Sequence, residues 1–270
     1  MINEESKESL LQQLEMIQKW EKDQKGFWFW EKIGRIPFKL LDRLTPQVIH
    51  QKVGQMLDEV GSYIQTGGKY LINKNEIVKR FIKVTGENDL DFSRISQLSI
   101  STMDEVSEGI IQSRKRIAMT QGATTGIGGI FTLTIDIPLI LGISIKTLQE
   151  IAISYGYDPN EKQERIFIVK CLQFASSDIV GKQAILDELS SFASSNENFK
   201  KQTISQMQGW KEVMMNYRDN FGWKKLFQMI PIAGIIFGSF VNKSMVEDIG
   251  EAGKMLYKKR RILEKLEQYD

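Results

Sequence analysis

The sequence predicts an all-α fold, a single multi-helix bundle with two Gly/Pro-containing apolar helical segments at its centre. Apolar residues recur at steps of three and four through most of the 270-residue chain, and strand-like alternation is almost absent. Helix-start and helix-stop residues punctuate those stretches. The run Gly122 to Ser144, GATTGIGGIFTLTIDIPLILGIS, is poor in charge: from Ile117 to Ile145 Asp136 alone is charged, with Arg114, Lys115 and Arg116 before it and Lys146 after. Such a run must be hidden from water, in a bundle core or in a membrane.

Composition narrows the class. With 41% hydrophobic and 26% charged residues the chain is not globally disordered, and a net charge of +2 gives no general pull on nucleic acid, so no nucleic-acid partner is expected. The single cysteine, Cys171 in IFIVKCLQFA, excludes an intramolecular disulfide and fits a reducing compartment. The start, MINEESKESLLQQLE, lacks a basic region followed by an apolar stretch, so no signal peptide is expected. These features predict a cytoplasmic protein, with the inner face of the cell membrane as a place of attachment.

Taken in order, a first helix is expected from about Glu4 to Lys22, with Leu10, Leu14, Ile17 and Trp20 toward one face. Residues 1–45 form this helix and a Trp-rich amphipathic segment; 46–270 form the helical domain, with a minor break at 86–89. In the first region Trp28 and Trp30 stand beside Lys32, Arg35 and Lys39. That chemistry suits a water–lipid interface, and equally an aromatic lid over a core. Thr45 and Pro46 open the next helix, whose stripe Ile49, Val53, Met56, Leu57, Val60 and Ile64 closes at Gly67-Gly68. A helix from Lys69 to Val84 leads to Gly86-Glu87-Asn88-Asp89. Ser101 with Asp104 or Glu105 reads as the capped start of the helix that delivers the chain to the Gly-rich run.

After that run the periodicity predicts a helix from Ile137 to Tyr155, stopped by Gly156, and Asp158-Pro159 placed to start the next. Helices near 160–174 and 178–192 follow, and Asn196 opens a long one bearing Met207, Trp210, Met214 and Tyr217. A second apolar segment, Leu226 to Asn242, holds Pro231, Gly234 and Gly238. The last helix, about Ser244 to Gln268, carries the basic cluster Lys258 to Arg261, read as a solvated face.

Several residues invite a chemical role. Gly122, Gly126 and Gly129 mimic a nucleotide loop, but no strand precedes them and no Gly-Lys-Ser/Thr follows, so close helix packing explains them better. Asp136 either caps a helix whose first turn holds Ile137 and Pro138, or pairs with Lys146 or Arg116, or is a proton-sensitive site. Glu150 is placed to pair with Lys146 at i, i+4. His50 is the sole histidine, so neither a His/Cys metal site nor a His-based triad is indicated, and no cofactor is implied.

The succession GATTGIGGIFTLTIDIPLIL, then LQEIAISYGYD from Leu148 to Asp158, then Glu164-Arg165, resembles the EcsC family; Ile230-Pro231-Ile232-Ala233-Gly234 through Gly238 and Asn242 is similar to its later pattern. The likeness runs from about Gln47 to Tyr257. It implies a bacterial cytoplasmic protein, encoded in some members beside the subunits of an ABC transporter, with no established reaction. The motif residues around Asp136, Tyr155, Gly156 and Asp158 carry no catalytic assignment from it.

The leading expectation is a non-enzymatic protein associated with the cytoplasmic membrane, its partners an anionic lipid surface and a membrane transporter. A second is a helical adaptor without membrane contact, its apolar segments being core. The third is an enzyme acting on lipid or another apolar substrate, with Asp136, Glu150 and Tyr155 around a pocket.

Overall fold

The computed structural model describes residues 5–24, 58–125, 137–176, 179–193 and 242–269. Among these every regular element is helical. Helix α1 (Lys7–Asp23) starts where the Ser6 hydroxyl accepts the Ser9 N–H at 3.2 Å. Helix α2 is described over 58–66 and stops at Gly67, whose φ of 75° only glycine adopts cheaply. Its expected start at Thr45-Pro46 lies outside the described residues.

A 3-10 turn (Gly68–Tyr70) intervenes before α3 (Lys74–Thr85), which starts later than the sequence predicts because the Asn73 side chain caps it. The short α4 (Phe92–Ile95) is capped by Asp91. Helix α5 (Ile100–Thr125) begins one residue before Ser101: the Ser99 hydroxyl accepts the Thr102 N–H, and Asp104 is drawn into other contacts. The remaining helices are α6 (Ile137–Ser154), α7 (Lys162–Ser176), α8 (Ile179–Ala193) and α9 (Asn242–Leu266).

The last helix is the hub. α9 packs against α5, α6, α7 and α1; α5 also packs on α6, α6 on α7 and α7 on α8, while α3 leans on α5 and α6. Met103, Ile110, Ile151, Phe174, Ile249 and Leu256 are buried in the shared core. Two glycines set how closely α9 approaches. A Cβ on Gly250 would lie 2.8 Å from Ile111 Cγ1, and one on Gly253 would lie 2.6 Å from Leu148 Cδ2. Both positions therefore require the absence of a side chain, on the principle that the sequence suggested for Gly122 and Gly126.

This architecture corrects the membrane-associated reading. Among the described residues no helix is long and apolar enough to cross a membrane. At the end of the apolar run Gly142 and Ser144 are buried, and from Ile145 to Ser154, where the same helix continues beyond the run, nearly every side chain of α6 is buried against other helices, so this helix serves the protein's own interior. The alternative, in which apolar helices are core, fits these residues better. Residues 126–136 and the second apolar segment, 226–241, lie outside the described residues, as do Asn196 to Tyr217.

Candidate functional site

The basic cluster near the C-terminus is not a solvated face. Each of its four residues reaches a different helix, because α9 lies at the centre of the bundle and has little surface to spare. Lys258 Nζ is 2.6 Å from Asp104 Oδ2 on α5, and Lys259 Nζ is 2.8 Å from Glu21 Oε1 on α1. Arg260 Nη1 donates to Glu164 Oε2 on α7 at 2.8 Å. Arg261 Nε donates to the Tyr155 carbonyl at 2.8 Å, satisfying an orphan acceptor at the end of α6.

Glu164 is the most enclosed carboxylate of this network, its side chain only 4% exposed. Its other oxygen accepts the Tyr257 hydroxyl at 2.5 Å. Burial, helped by the negative charge of Glu164, pushes the Tyr257 phenol well above its usual range, so it stays protonated and donates. The Tyr157 ring lies between two guanidiniums, 4.0 Å from Arg260 and 4.3 Å from Arg261, and Phe167 supports Arg260 at 5.0 Å. Aromatic faces thus help to hold two like charges side by side.

The sequence-predicted residues are distributed rather than gathered. Glu150 does not pair with Lys146; Arg114 on α5 grips both of its oxygens, through Nε at 2.8 Å and Nη2 at 2.6 Å. That pair holds α5 to α6, and the hydrogen bond to Glu150 raises the Arg114 pKa. The Tyr155 hydroxyl donates to Asp104 at 2.6 Å, and burial followed by the Asp104 charge raises its pKa strongly. Gly156 adopts φ 80° and ends α6 as expected; a Cβ there would also meet Ser96 backbone atoms at 3.0 Å.

Asp158 does not cap a helix that starts at Pro159. It accepts the Asn160 N–H and pairs with Lys74 of α3 at 2.8 Å. Burial alone would raise its pKa, but Lys74 and the Asn160 N–H hold it below the ordinary value. Pro138 lies in the first turn of α6, and Gly122 in the last turns of α5. Gly126, Gly129 and Asp136 lie outside the described residues, as do Trp28, Trp30, Lys32, Arg35 and Lys39, and also His50. Among the described residues no group of His, Cys, Asp and Glu is arranged to hold a metal ion.

Sequence reasoning took Asp104 for a helix-start acid, Arg114 for a basic flank and Arg260 for part of a solvated face, missed Tyr257, and named Glu164-Arg165 without a role. Arg165 donates to the carbonyls of Ile64 and Gln65 at 3.0 and 2.9 Å, and so caps α2 from another helix. The available signal was charge set inside apolar strings, as in Glu164-Arg165-Ile166-Phe167-Ile168. Charges so placed cannot face water and must find partners.

One further carboxylate titrates in an informative range. Asp248 on α9 has an oxygen without a hydrogen-bond partner among the described residues, with Glu251 and Glu247 beside it and Lys182 of α8 facing it. Glu251 accepts from Trp20 of α1 at 2.8 Å, and Glu247 pairs with Lys115 of α5 at 2.6 Å. Burial, then the two neighbouring carboxylates, raise the Asp248 pKa to about 7. The folded state therefore binds a proton that the unfolded chain has released, so stability falls as pH rises from about 4 to about 7 and is then level. Asp248→Asn is expected to remove that slope and to be more stable than the parent at pH 8 by about 1–2 kcal/mol, once solvent screening of a half-buried group is allowed for. Urea unfolding at pH 5 and pH 8 checks it; an unchanged slope would refute the assignment.

Over 265 residues the chain is 54% identical to the uncharacterized protein YdbA of Bacillus subtilis (strain 168), covering 98% of this chain and 97% of that protein. It is 31% identical over 192 residues to Protein EcsC of the same organism, covering 70% of this chain and 78% of that one. No solved structure matches. The EcsC protein family pattern matches residues 11–262, which extends the likeness to α1 and nearly to the end of α9. The chain belongs to the EcsC protein family.

Proposed function

We propose that the protein is a cytoplasmic helical adaptor, a folded platform that binds another protein and carries out no reaction of its own. The observation that supports this is the dispersal of the motif. Glu150 and Tyr155 join α6 and its end to α5 at points ten residues apart, Arg114 and Asp104, and Asp158 joins the following turn to Lys74 of α3. A catalytic set has to converge on one reacting atom, and these diverge. Read this way, the family motif specifies the shape of the bundle. The buried thiol of Cys171, with its pKa raised by burial, is inert in such a frame and agrees with a reducing compartment.

The test separates shape from chemistry. Tyr155→Phe and Asp158→Asn keep the bundle's outline, so each is expected to retain, within about twofold, the protein partner recovered by in-cell cross-linking of the tagged full-length chain. Glu164→Ala, which loosens the bundle, is expected to lose it. If Tyr155→Phe abolishes the cellular phenotype of the gene while thermal stability and cross-linking are unchanged, the phenol is doing chemistry and the adaptor reading falls.

A further inference from the structure

Near the start of α9 the acidic side chains Glu247, Asp248 and Glu251 stand close together, and each faces a different helix. Glu247 pairs with Lys115 of α5, and Glu251 accepts from the Trp20 indole of α1. Asp248 is the exception. Its Oδ2 is enclosed but has no hydrogen-bond partner among the described residues, although Lys182 of α8 faces it. A buried acceptor in that condition calls for an explanation.

The facing cation is engaged elsewhere. Lys182 is only 3% exposed, and its ammonium donates at 3.3 Å to Oε1 of Gln24, the buried residue that follows α1. It also lies 5.5 Å from the centre of the Phe174 ring on α7. A bond of that length to a neutral amide is weak, and a carboxylate is roughly twice as strong an acceptor. Lys182 thus stands between a neutral acceptor at the end of α1 and an acidic one on α9, and it holds the neutral one. A protonated Asp248 accounts for this, since it offers an ammonium no charge. Burial, Glu251 and Glu247 all oppose its ionisation, while Lys182 favours it; Lys115 is taken up by Glu247.

We propose that this junction is a proton-operated latch in which Lys182 exchanges partners: with Asp248 protonated it ties α8 to Gln24, and when Asp248 releases its proton to solvent it ties α8 to α9. Ionisation creates a buried charge that needs a counter-charge, and the flexible lysine stem lets the ammonium follow it. Helix α1 keeps its place in both states through Glu5, Glu21 and Trp20. What changes is the neighbour to which α8 is fastened. With the Asp248 pKa raised to about 7, the Gln24 link holds below neutral pH and the Asp248 link above it. The device needs no partner protein, so it is independent of the adaptor reading.

Double-mutant cycles on the full-length protein, by urea unfolding at about pH 5 and about pH 9, test the exchange. Lys182→Met and Gln24→Leu are expected to couple, in the unfolding constant, at least about threefold more strongly at the lower pH. Lys182→Met and Asp248→Asn should show the reverse. In an Asp248→Asn background the Gln24 coupling should persist at both pH values. A Gln24 coupling that does not fall with rising pH in the parent, or an Asp248 coupling that does not rise, would overturn the proposal. The Gln24 side-chain amide NMR signal, assigned by its loss in Gln24→Leu, gives a readout that needs no lysine variant. It is expected to shift with a midpoint near pH 7 in the parent and to stay constant in Asp248→Asn. A constant signal in the parent, or the same titration in both proteins, counts equally against the latch.

Discussion

Replacing Glu164 by Ala is expected to destabilise the protein by about 3–5 kcal/mol, the range for breaking a buried ion pair from one side. The substitution removes both hydrogen bonds that the carboxylate accepts. It leaves the Arg260 guanidinium, held against Tyr157 and Phe167, with a cavity where Glu164 stood and only Glu264, at 3.4 Å, as a remaining counter-charge. The Tyr257 hydroxyl, on a fully buried side chain, loses its acceptor at the same time. The double variant Glu164→Met with Arg260→Leu removes both charges, so it should recover most of that loss. Urea denaturation of the parent, the single variant and the double variant measures this. A single variant within 1 kcal/mol of the parent would show that water reaches the pair, contrary to its enclosure.

The second large effect is steric. Gly253→Val is expected to cost about 3 kcal/mol, at the upper end of overpacking, because even the first carbon of a side chain would sit 2.6 Å from Leu148 Cδ2. Leu148 is itself fully buried and also packs within α6, so relief requires α9 to move off α6. The gain from replacing a helical glycine, about 1 kcal/mol for alanine and only roughly a few tenths for β-branched valine, is too small to offset this. Leu148→Ala alone should cost about 2–5 kcal/mol through the cavity it leaves. Combined with Gly253→Val the two losses should fall well short of their sum, since each substitution relieves the defect of the other. Additive losses would mean that the two positions do not touch.

These effects sit where the sequence was hardest to read. The helices themselves were legible: 3.6-residue periodicity, the glycines at 67, 86 and 156, and the polar caps are local signals, and local geometry decides whether a helix forms and stops. Errors at the ends came from competition for capping groups. Ser99 and Asn73 took the caps at α5 and α3, while Asp104 and Asp158, which looked like helix-start carboxylates, are engaged by residues 51 and 84 positions away. No local rule distinguishes an acid that caps its own helix from one that waits for a distant tyrosine or lysine.

The apolar run that first suggested a membrane shows the same division. Its charge poverty established that it must be hidden, a conclusion that follows from hydration alone. Whether lipid or protein hides it depends on what the rest of the chain brings alongside, and α6 from Gly142 onward, the end of the run and its continuation, is covered by α5, α7 and α9. The Lys258 to Arg261 cluster makes the point in reverse. Four consecutive bases read as a solvated face because charge prefers water; only the central position of α9 brings Asp104, Glu21, Glu164 and the Tyr155 carbonyl within reach of them. The sequence by itself therefore determined the helical class, the family and most helix stops, since these depend on short-range sterics and hydrophobic period. The tertiary structure decided the pairing of charges and the close approach at Gly250 and Gly253. Those properties belong to contacts between residues far apart in the chain, and they exist only once the bundle has closed.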